Sequence, residues 1–91
     1  MRTPSYSTQF QRDVKRLQKR GKDLEKLKRL IGLLLAADAL PPQYKDHPLK
    51  HGWAGYRDAH VEPDWVLVYS ATDKTVHLER TGTHEELFES D

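Results

Sequence analysis

The chain has 91 residues, no cysteine and a formal net charge of +1. This size predicts a single domain, residues 1–91, and the lack of cysteine excludes disulfide bonds and thiolate metal sites. The composition suits a reducing cytoplasm, and the first residues show no apolar run of the kind found in signal peptides. Residues 31–37, the longest apolar stretch, are too few to span a bilayer, so we expect no membrane segment.

Charge is distributed unevenly along the chain. Residues 1–37 hold ten of the fifteen lysines and arginines but only three of the fourteen acidic residues. A basic half of this kind indicates either a solvated helical face or a surface that binds a polyanion or an acidic protein. The residues alone leave both interpretations open.

The first half of the chain predicts two amphipathic helices. Residues 5–9 are weakly typical of a short strand, and residues 10–17 then place apolar side chains at helical spacing. Gly21 ends this helix, and Asp23 is a suitable N-cap for the next one. The leucine-rich stripe of residues 24–37 forms the second helix, so the two segments predict a helical hairpin.

The second half predicts strands. Residues 41–55, rich in proline and glycine, form an extended loop, and strands follow at residues 56–61, 65–69 and 75–80, with a short terminal piece at 84–88. The short connections predict an antiparallel meander, whereas the place of the first strand in the sheet stays open. The sequence therefore predicts an α+β fold, a two-helix hairpin packed on one face of a small, mostly antiparallel sheet.

Five histidines follow the helices, namely His47, His51, His60, His77 and His84. Asp58 and His60 lie two residues apart on a predicted strand, so they share a face with Tyr56. A carboxylate next to an imidazole favours its protonated form and fixes its tautomer. These properties suit a general acid or base near neutral pH.

Two reactions are compatible with such residues. One is metal-assisted hydrolysis, although no ligand pair has the short spacing of a recognised zinc site. The other is metal-free RNA cleavage, in which a base deprotonates the 2′-hydroxyl, an acid protonates the leaving 5′-oxygen and a cation stabilises the phosphorane. Arg57 and Arg80 are the available cations among the strands.

Several segments together resemble one bacterial family. They are residues 44–49 (YKDHPL), Trp53, residues 55–65 (GYRDAHVEPDW), residues 79–84 (ERTGTH) and Leu87-Phe88. These segments are similar to the YafQ-type toxins of the RelE/ParE superfamily of toxin–antitoxin systems, and the basic helical hairpin fits the same family. The run of residues 55–65 is long and unusual enough to be specific.

The resemblance implies a microbial-RNase-like fold and an endoribonuclease that cleaves mRNA in the ribosomal A site, with a preference for lysine-type, adenine-rich codons. It also implies a cognate DinJ-type antitoxin and the 70S ribosome as partners. We expect no metal and no other cofactor. The family's functional positions fall on His47, Asp58, His60, Asp64, His84 and Phe88. His51 and His77 lie outside these positions and are expected on the surface.

Roles follow from this resemblance and from the chemistry of RNA cleavage. We expect His84 to be the general acid toward the leaving 5′-oxygen. His47 or His60 would be the base, supported by Asp64 or Asp58, and the choice between the two histidines is open.

The remaining candidate residues would hold the substrate. Arg80 is a candidate for stabilising charge in the transition state, with Arg57 as the other cation. Phe88 would stack on a codon base or close the small core. Trp53 is expected to anchor the core or a loop, and Tyr56 to lie in the core or, as the lesser alternative, to line the site.

The basic helices would contact phosphates of ribosomal RNA, which gives a salt-dependent affinity. The residues concerned are Lys15, Arg16, Lys19, Arg20, Lys22, Lys26, Lys28 and Arg29. Two rival functions are a ParE-like toxin that poisons gyrase and an inactive module that binds RNA or antitoxin. The first would not need this set of histidines and aspartates, and intact His84 and Asp64 argue against the second.

Overall fold

The computed structural model describes residues 1–50 and 52–88; His51, expected on the surface, lies outside them. The elements are β1 (Thr3–Tyr6), α1 (Thr8–Lys19), α2 (Leu24–Leu35), a 3-10 turn (Pro42–Tyr44), β2 (His47–Pro48), β3 (Arg57–Glu62), β4 (Trp65–Ala71), β5 (Thr75–Gly82) and α3 (His84–Phe88). The strand order is β1-β5-β4-β3-β2, with β1 parallel to β5 and the other pairs antiparallel. The predicted α+β fold is confirmed.

Helix α1 begins earlier than the sequence pattern predicts. Ser7 leaves the first strand and caps the helix, because its hydroxyl accepts a hydrogen bond from the Phe10 N–H at 2.8 Å. The prediction of a strand over residues 5–9 is therefore wrong at its end, where Thr8 and Gln9 are helical. In sequence, a polar stretch before a helix looks like an edge strand. Only the capping hydrogen bond of Ser7 shows where the strand ends and the helix begins.

Helix α2 follows the prediction closely. The Asp23 side chain accepts from the Glu25 N–H at 3.1 Å, as expected of an N-cap. Gly21 precedes it at a φ of 82°, a backbone conformation that favours glycine. Leu27, Leu30 and Leu34 are buried against the sheet. Within residues 1–50 and 52–88, no helix is long and apolar enough to cross a membrane.

The three predicted strands form the expected meander, and one further strand was missed. The two-residue strand β2 lies inside the segment predicted as a loop and pairs with β3, which places His47 opposite Asp58. A strand of two residues is too short to show an alternating pattern, so the sequence did not predict it. Residues Thr81 and Gly82, predicted to break the last strand, continue it instead.

The sheet has two chemically different faces. One packs against α1 and α2 through a large apolar core that includes Phe10, Leu17, Leu30, Leu67 and Leu78. The other, called the open face below, has Val66 and Val68 at its centre, packed against Leu87 with Trp53 and Phe88 partly covering them. Outside this small apolar patch the open face carries polar and aromatic side chains.

The carboxylate of Asp13 joins α1 to β5 and is completely buried. It accepts hydrogen bonds from Arg80 Nε at 2.7 Å, from the Thr81 N–H at 3.1 Å and from Arg16 Nη1 at 2.9 Å. Burial alone would raise the pKa of Asp13, but the hydrogen bonds from Arg80, Thr81 and Gln9 outweigh it and hold the pKa below its ordinary value of 3.8. Asp13 thus attaches α1 to the part of β5 that lies beyond the end of β1, where the strand continues through Gly82 by pairing with β4.

We expect Asp13→Ala to lower the free energy of unfolding by about 3 kcal/mol, because it leaves partly buried cations without their counter-charge. Urea denaturation at pH 7 measures the change, with Asp73→Ala in the exposed β4–β5 turn as the control. Because the pKa of Asp13 is depressed, its contribution is present above its ordinary pKa of 3.8 and is lost at lower pH. A loss no larger than that of Asp73→Ala would contradict this role.

Candidate active site

Three imidazoles converge on one buried carboxylate at one end of the open face. Asp58 on β3 is 1% exposed. Its Oδ1 lies 3.1 Å from His47 Nδ1, and its Oδ2 lies 3.8 Å from His84 Nε2. The His60 ring centroid is 6.4 Å from that of His47 and 5.3 Å from that of His84. These four residues are called the histidine cluster.

Three different elements position the four members of the cluster. The β2–β3 pairing sets His47 opposite Asp58, and His60 follows Asp58 by two residues on the same face of β3. His84 is the first residue of α3, directly after β5 and Thr83. Segments far apart in the sequence therefore meet because the meander brings their ends to the same end of the sheet.

Burial raises the pKa of the Asp58 carboxyl, and the positive charge that His47, His60 and His84 carry when protonated opposes this effect. Among the described residues, no group donates a hydrogen bond to Asp58 Oδ1. His47 Nδ1 is close enough, but it also lies 2.9 Å from the Lys45 carbonyl oxygen and directs its hydrogen there. The Asp58 carboxylate is therefore buried without a hydrogen-bond donor at Oδ1, and its negative charge is offset mainly by the nearby imidazoles.

The hydrogen bonds of the cluster define which ring nitrogens are protonated. His60 Nδ1 lies 3.2 Å from the Pro63 carbonyl oxygen, and His47 Nδ1 faces that of Lys45. Because a carbonyl oxygen only accepts, each Nδ1 carries the hydrogen and each Nε2 is left unprotonated in the neutral ring. Both histidines thus present a nitrogen that can take up a proton, so the geometry leaves the choice of base between them open.

A cleft of about 330 Å³ lies beside His60. Its walls are formed by the 3-10 turn and the end of β3, including Tyr44, Lys45 and Pro63. A cleft of this size is within the range of small-ligand sites. It gives a substrate group direct access to the edge of the histidine cluster.

Helix α3 is held in place by Glu86, a residue that the sequence analysis did not single out. The Thr83 N–H donates to Glu86 Oε1 at 3.0 Å, and the Glu86 N–H donates to Thr83 Oγ1 at 3.1 Å. Arg20 and Arg16 of α1 bind Glu86 Oε2 at 2.7 and 3.1 Å. The spacing of Thr83 and Glu86 is that of a capping box, a signal the sequence did offer.

Glycine at position 82 allows this arrangement. A Cβ there would lie 2.9 Å from Glu86 Oε1 and 3.1 Å from Arg16 Nη2, closer than side chains tolerate. The close approach of α1, β5 and α3 therefore depends on Gly82. It fixes the start of α3, where His84 lies.

The predicted ribosome-contacting cations are largely engaged within the protein. Five of the eight form ion pairs: Arg16 and Arg20 with Glu86, Lys22 and Lys26 with Glu62, and Lys28 with Glu25. Lys15, Lys19 and Arg29 make no ion pair with any residue in the described part of the chain. At least part of the basic surface therefore serves to connect the helices to β3 and α3.

Arg80 lies at the edge of the open face. A β-bulge in β5 pairs Arg80 with Val68, which is itself paired with Asp58 on the neighbouring strand. Its Nε and Nη2 bind Asp13, at 2.7 and 3.2 Å, which leaves Nη1 outside the ion pair. Arg80 is thus an oriented cation in the same cross-strand row as Asp58, and its role in the transition state stays a prediction.

Two predicted site residues are not brought to the cluster. Arg57 alternates with Asp58 along β3, so it points to the helix side of the sheet, where its Nη2 binds Asp46 at 2.9 Å. Asp64 is exposed in the β3–β4 turn, and within residues 1–50 and 52–88 no hydrogen bond or ion pair joins it to the histidines. The alternation of side chains along β3 is the sequence signal that could have excluded Arg57 from the site. No sequence signal indicated that Asp64 would lie apart from the histidines in an exposed turn.

Phe88 extends the cluster into a row of aromatic rings. Its ring centroid lies 5.5 Å from that of His84 and 5.8 Å from that of Trp53. Trp53 in turn packs edge-on against Tyr56 at 5.7 Å. Phe88 is half-buried and covers the apolar patch of the open face, so it closes a core and also borders His84. Both interpretations made from the sequence are compatible with this placement.

The same cluster offers a set of metal ligands. Asp58, His60 and His84 each contribute one ligand atom, and these atoms lie within 4.8 Å of one another. A carboxylate and two imidazoles suit a transition-metal ion. The expectation of a metal-free reaction therefore stays a prediction that needs a direct test.

Comparisons with known proteins agree on one group. The family model described as "Bacterial toxin of type II toxin-antitoxin system, YafQ" matches residues 2–89. A relative named mRNA interferase toxin YafQ, from Escherichia coli strain B / BL21-DE3, is 61% identical over 84 residues, 91% of either chain.

Solved structures agree as well. YafQ in the E. coli DinJ-YafQ complex is 58% identical with a TM-score of 0.90, covering 97% of this chain and 99% of the other. A metal-bound toxin from Helicobacter pylori is 43% identical with a TM-score of 0.90, covering 97% and 100%.

Two helices on a five-stranded sheet, with the histidine cluster at the end of its open face, define a small bacterial toxin of the RelE/ParE type. The match over residues 2–89 is specific within that class. The chain belongs to the YafQ family of toxins from type II toxin–antitoxin systems.

We expect Glu86→Ala to loosen α3 without unfolding the sheet, because it removes the capping box and both ion pairs to α1. The Leu87 N–H donates to the Thr83 carbonyl oxygen, and its hydrogen exchange should accelerate roughly tenfold. Glu85→Ala, on the exposed side of the same helix, is the matched control. Equal exchange in the two variants would show that Glu86 does not hold α3.

We expect Asp58→Asn to raise the free energy of unfolding at pH 8. Because burial raises the pKa of Asp58, its ionised form destabilises the fold at every pH above the ordinary value of 3.8. The gain should shrink as the pH falls toward that value, since the wild-type carboxyl is then protonated. Urea denaturation at several pH values measures it, with exposed Asp64→Asn as the control; a loss of stability at pH 8 would contradict the assignment.

Proposed function

We propose that this toxin is an endoribonuclease that cleaves mRNA in the A site of the translating ribosome, by acid–base catalysis without a metal. The observation that carries the proposal is the convergence of three imidazoles on the buried Asp58 carboxylate. A phosphodiester cleavage through the 2′-hydroxyl needs one group that accepts a proton and one that donates it, and the cluster holds both kinds. The printed name of the E. coli relative, an mRNA interferase, supports the same activity.

The reaction follows from the tautomers described above. The unprotonated Nε2 of His47 or His60 removes the proton of the 2′-hydroxyl, and the 2′-oxygen attacks the adjacent phosphorus. The bond to the 5′-oxygen breaks as protonated His84 donates its proton to that oxygen. The products are a 2′,3′-cyclic phosphate and a 5′-hydroxyl, and each histidine ends in the protonation state opposite to its start.

The other residues assist these steps. The carbonyl oxygens of Lys45 and Pro63 orient His47 and His60, and the Asp58 carboxylate lies beside the rings that become positively charged during the reaction. Arg80, oriented by Asp13, offers Nη1 to the charge that develops on the phosphorane oxygens. Phe88 borders His84 and provides an aromatic surface for a base. Asp64 stays a candidate for support of the base if its turn rearranges on the ribosome.

Partners follow from the same family. The proposal includes a cognate DinJ-type antitoxin, supported by the E. coli DinJ-YafQ complex, and the 70S ribosome with its mRNA. Lys15, Lys19 and Arg29, which pair with no described residue, are the strongest candidates for contacts to ribosomal RNA phosphates. An enzyme of this kind acts in the cytoplasm.

We expect His84→Ala to reduce the cleavage rate of ribosome-bound mRNA by a factor on the order of 10²–10⁴, the usual contribution of a general acid. Primer extension after brief induction measures cleavage, and co-sedimentation with ribosomes measures binding, which should not change. Glu85→Ala, one position further along α3, is the control. Cleavage at the wild-type rate would remove His84 from the reaction.

Metal dependence distinguishes the proposed chemistry from its alternative. We expect metal-depleted toxin, prepared with EDTA and then freed of chelator, to cleave at the rate of untreated toxin. Zinc or copper added to the depleted toxin should inhibit, since Asp58, His60 and His84 would then hold the ion instead of exchanging protons. Loss of cleavage on depletion, restored by zinc, would instead favour metal-assisted hydrolysis.

A further inference from the structure

A second group of polar side chains lies on the open face, away from the histidine cluster. Ser5 Oγ is 2.8 Å from His77 Nδ1, His77 Nε2 is 2.8 Å from Glu79 Oε1, and the Tyr56 hydroxyl donates to the same oxygen at 3.5 Å. These residues come from β1, from β5 and from the segment before β3. We call the four of them the Glu79 group.

The sheet register places this group on the same face as the catalytic candidates. Tyr56 precedes Asp58 by two residues, and His77 is paired with Ser5 on one side and Ser70 on the other. Trp53 and Phe88 bridge the two regions, since consecutive ring centroids from Tyr56 to His84 are 5.5 to 5.8 Å apart. A continuous aromatic path therefore connects the Glu79 group to the histidine cluster.

Backbone pairing along the β1 edge does not depend on the side chains of the Glu79 group. Backbone hydrogen bonds already hold the β1 edge, from the Thr3 N–H to Lys74 and from the Ser7 N–H to Leu78. The side chains of His77 and Glu79 are 34% and 29% exposed, so part of each lies at the surface of the open face. An ordered, half-exposed set of hydrogen-bonding groups beside aromatic rings is typical of a recognition surface.

The hydrogen-bonding groups of the Glu79 group are suited to binding a nucleobase. A carboxylate repels phosphate, so Glu79 faces the edge of a base and not the RNA backbone. Carboxylates accept hydrogen bonds from amino groups of bases, whereas uracil presents carbonyl oxygens on both sides of its single ring N–H. Aromatic side chains bind the faces of unstacked bases in single-stranded RNA.

We propose that Glu79, His77 and Tyr56, with Trp53 as the stacking surface, form a second base-binding subsite for a nucleotide neighbouring the cleaved one. The subsite accepts a base that carries an amino group, namely adenine, cytosine or guanine, and disfavours uracil. His77 orients the Glu79 carboxylate and, through Ser5, connects it to β1. This inference rests on the proposed function, because it assigns a specificity to the same RNA substrate.

The test compares cleavage of ribosome-bound mRNAs in which each nucleotide flanking the cleaved bond carries each of the four bases. At one flanking position, wild-type toxin should cleave the uracil-containing mRNA roughly tenfold less efficiently in kcat/KM than the others. Glu79→Gln should reduce this preference to under about threefold, since an amide also donates to carbonyl oxygens. Glu85→Gln is the matched control and should keep the wild-type preference.

Trp53 provides a separate readout. Trp53→Leu, which keeps an apolar side chain over the patch, should raise KM roughly tenfold with little change in kcat, and Trp53→Phe should restore KM. Retention of the base preference in Glu79→Gln, or an unchanged KM in Trp53→Leu, would overturn the subsite while leaving the nuclease intact. Absence of cleavage by the wild-type toxin would instead reject the proposed function itself.

Discussion

The hydrogen bonds of the buried Asp13 carboxylate hold the end of β5 against α1, and the position of α3, which follows β5, depends on this contact. The carboxylate accepts hydrogen bonds from the Thr81 N–H and from Arg80, so it attaches the part of β5 beyond the end of β1 to α1. Gly82 then lets Glu86 and Arg16 approach, and α3 begins with His84 at its first turn. The end of β5 also pairs with β4, so loss of the Asp13 contacts would leave the strand in place but remove its attachment to α1.

The two buried aspartates have opposite electrostatic situations. Asp13 is saturated with donors, and its pKa is lowered. Asp58 lacks a donor at Oδ1 among the described residues, and its pKa is raised. The first arrangement stabilises the fold, whereas the second leaves a charge that titratable imidazoles compensate only in part. The protein thus has a destabilising carboxylate where proton transfer is proposed and a stabilising one where α1 meets β5.

Elements with a repeating pattern were predictable, and contacts set by pairing were not. The leucine stripe of α2, the Asp23 cap and the strong strand at residue 65 follow from periodicity and capping chemistry. The start of α1 depends on the single capping bond between Ser7 and Phe10, whereas the short β2 and the continuation of β5 depend on pairing with neighbouring strands. In the site, parity on β3 correctly grouped Asp58 with His60. Arg57 and five of the eight predicted ribosome-contacting cations instead bind carboxylates, most of them far away in the sequence, and no local pattern predicts such pairs.

The parallel pairing of β1 with β5 ties residues 3–6 to residues 75–78. During translation, β1 therefore stays unpaired until residues 75–78 have been synthesised, and His84 is synthesised after them. A chain that has been synthesised only to residue 74 can form neither the complete sheet nor the proposed proton donor, His84. A toxin whose proposed target is the translating ribosome is thus assembled only after its own ribosome has translated past residue 84, an order of events imposed by topology alone.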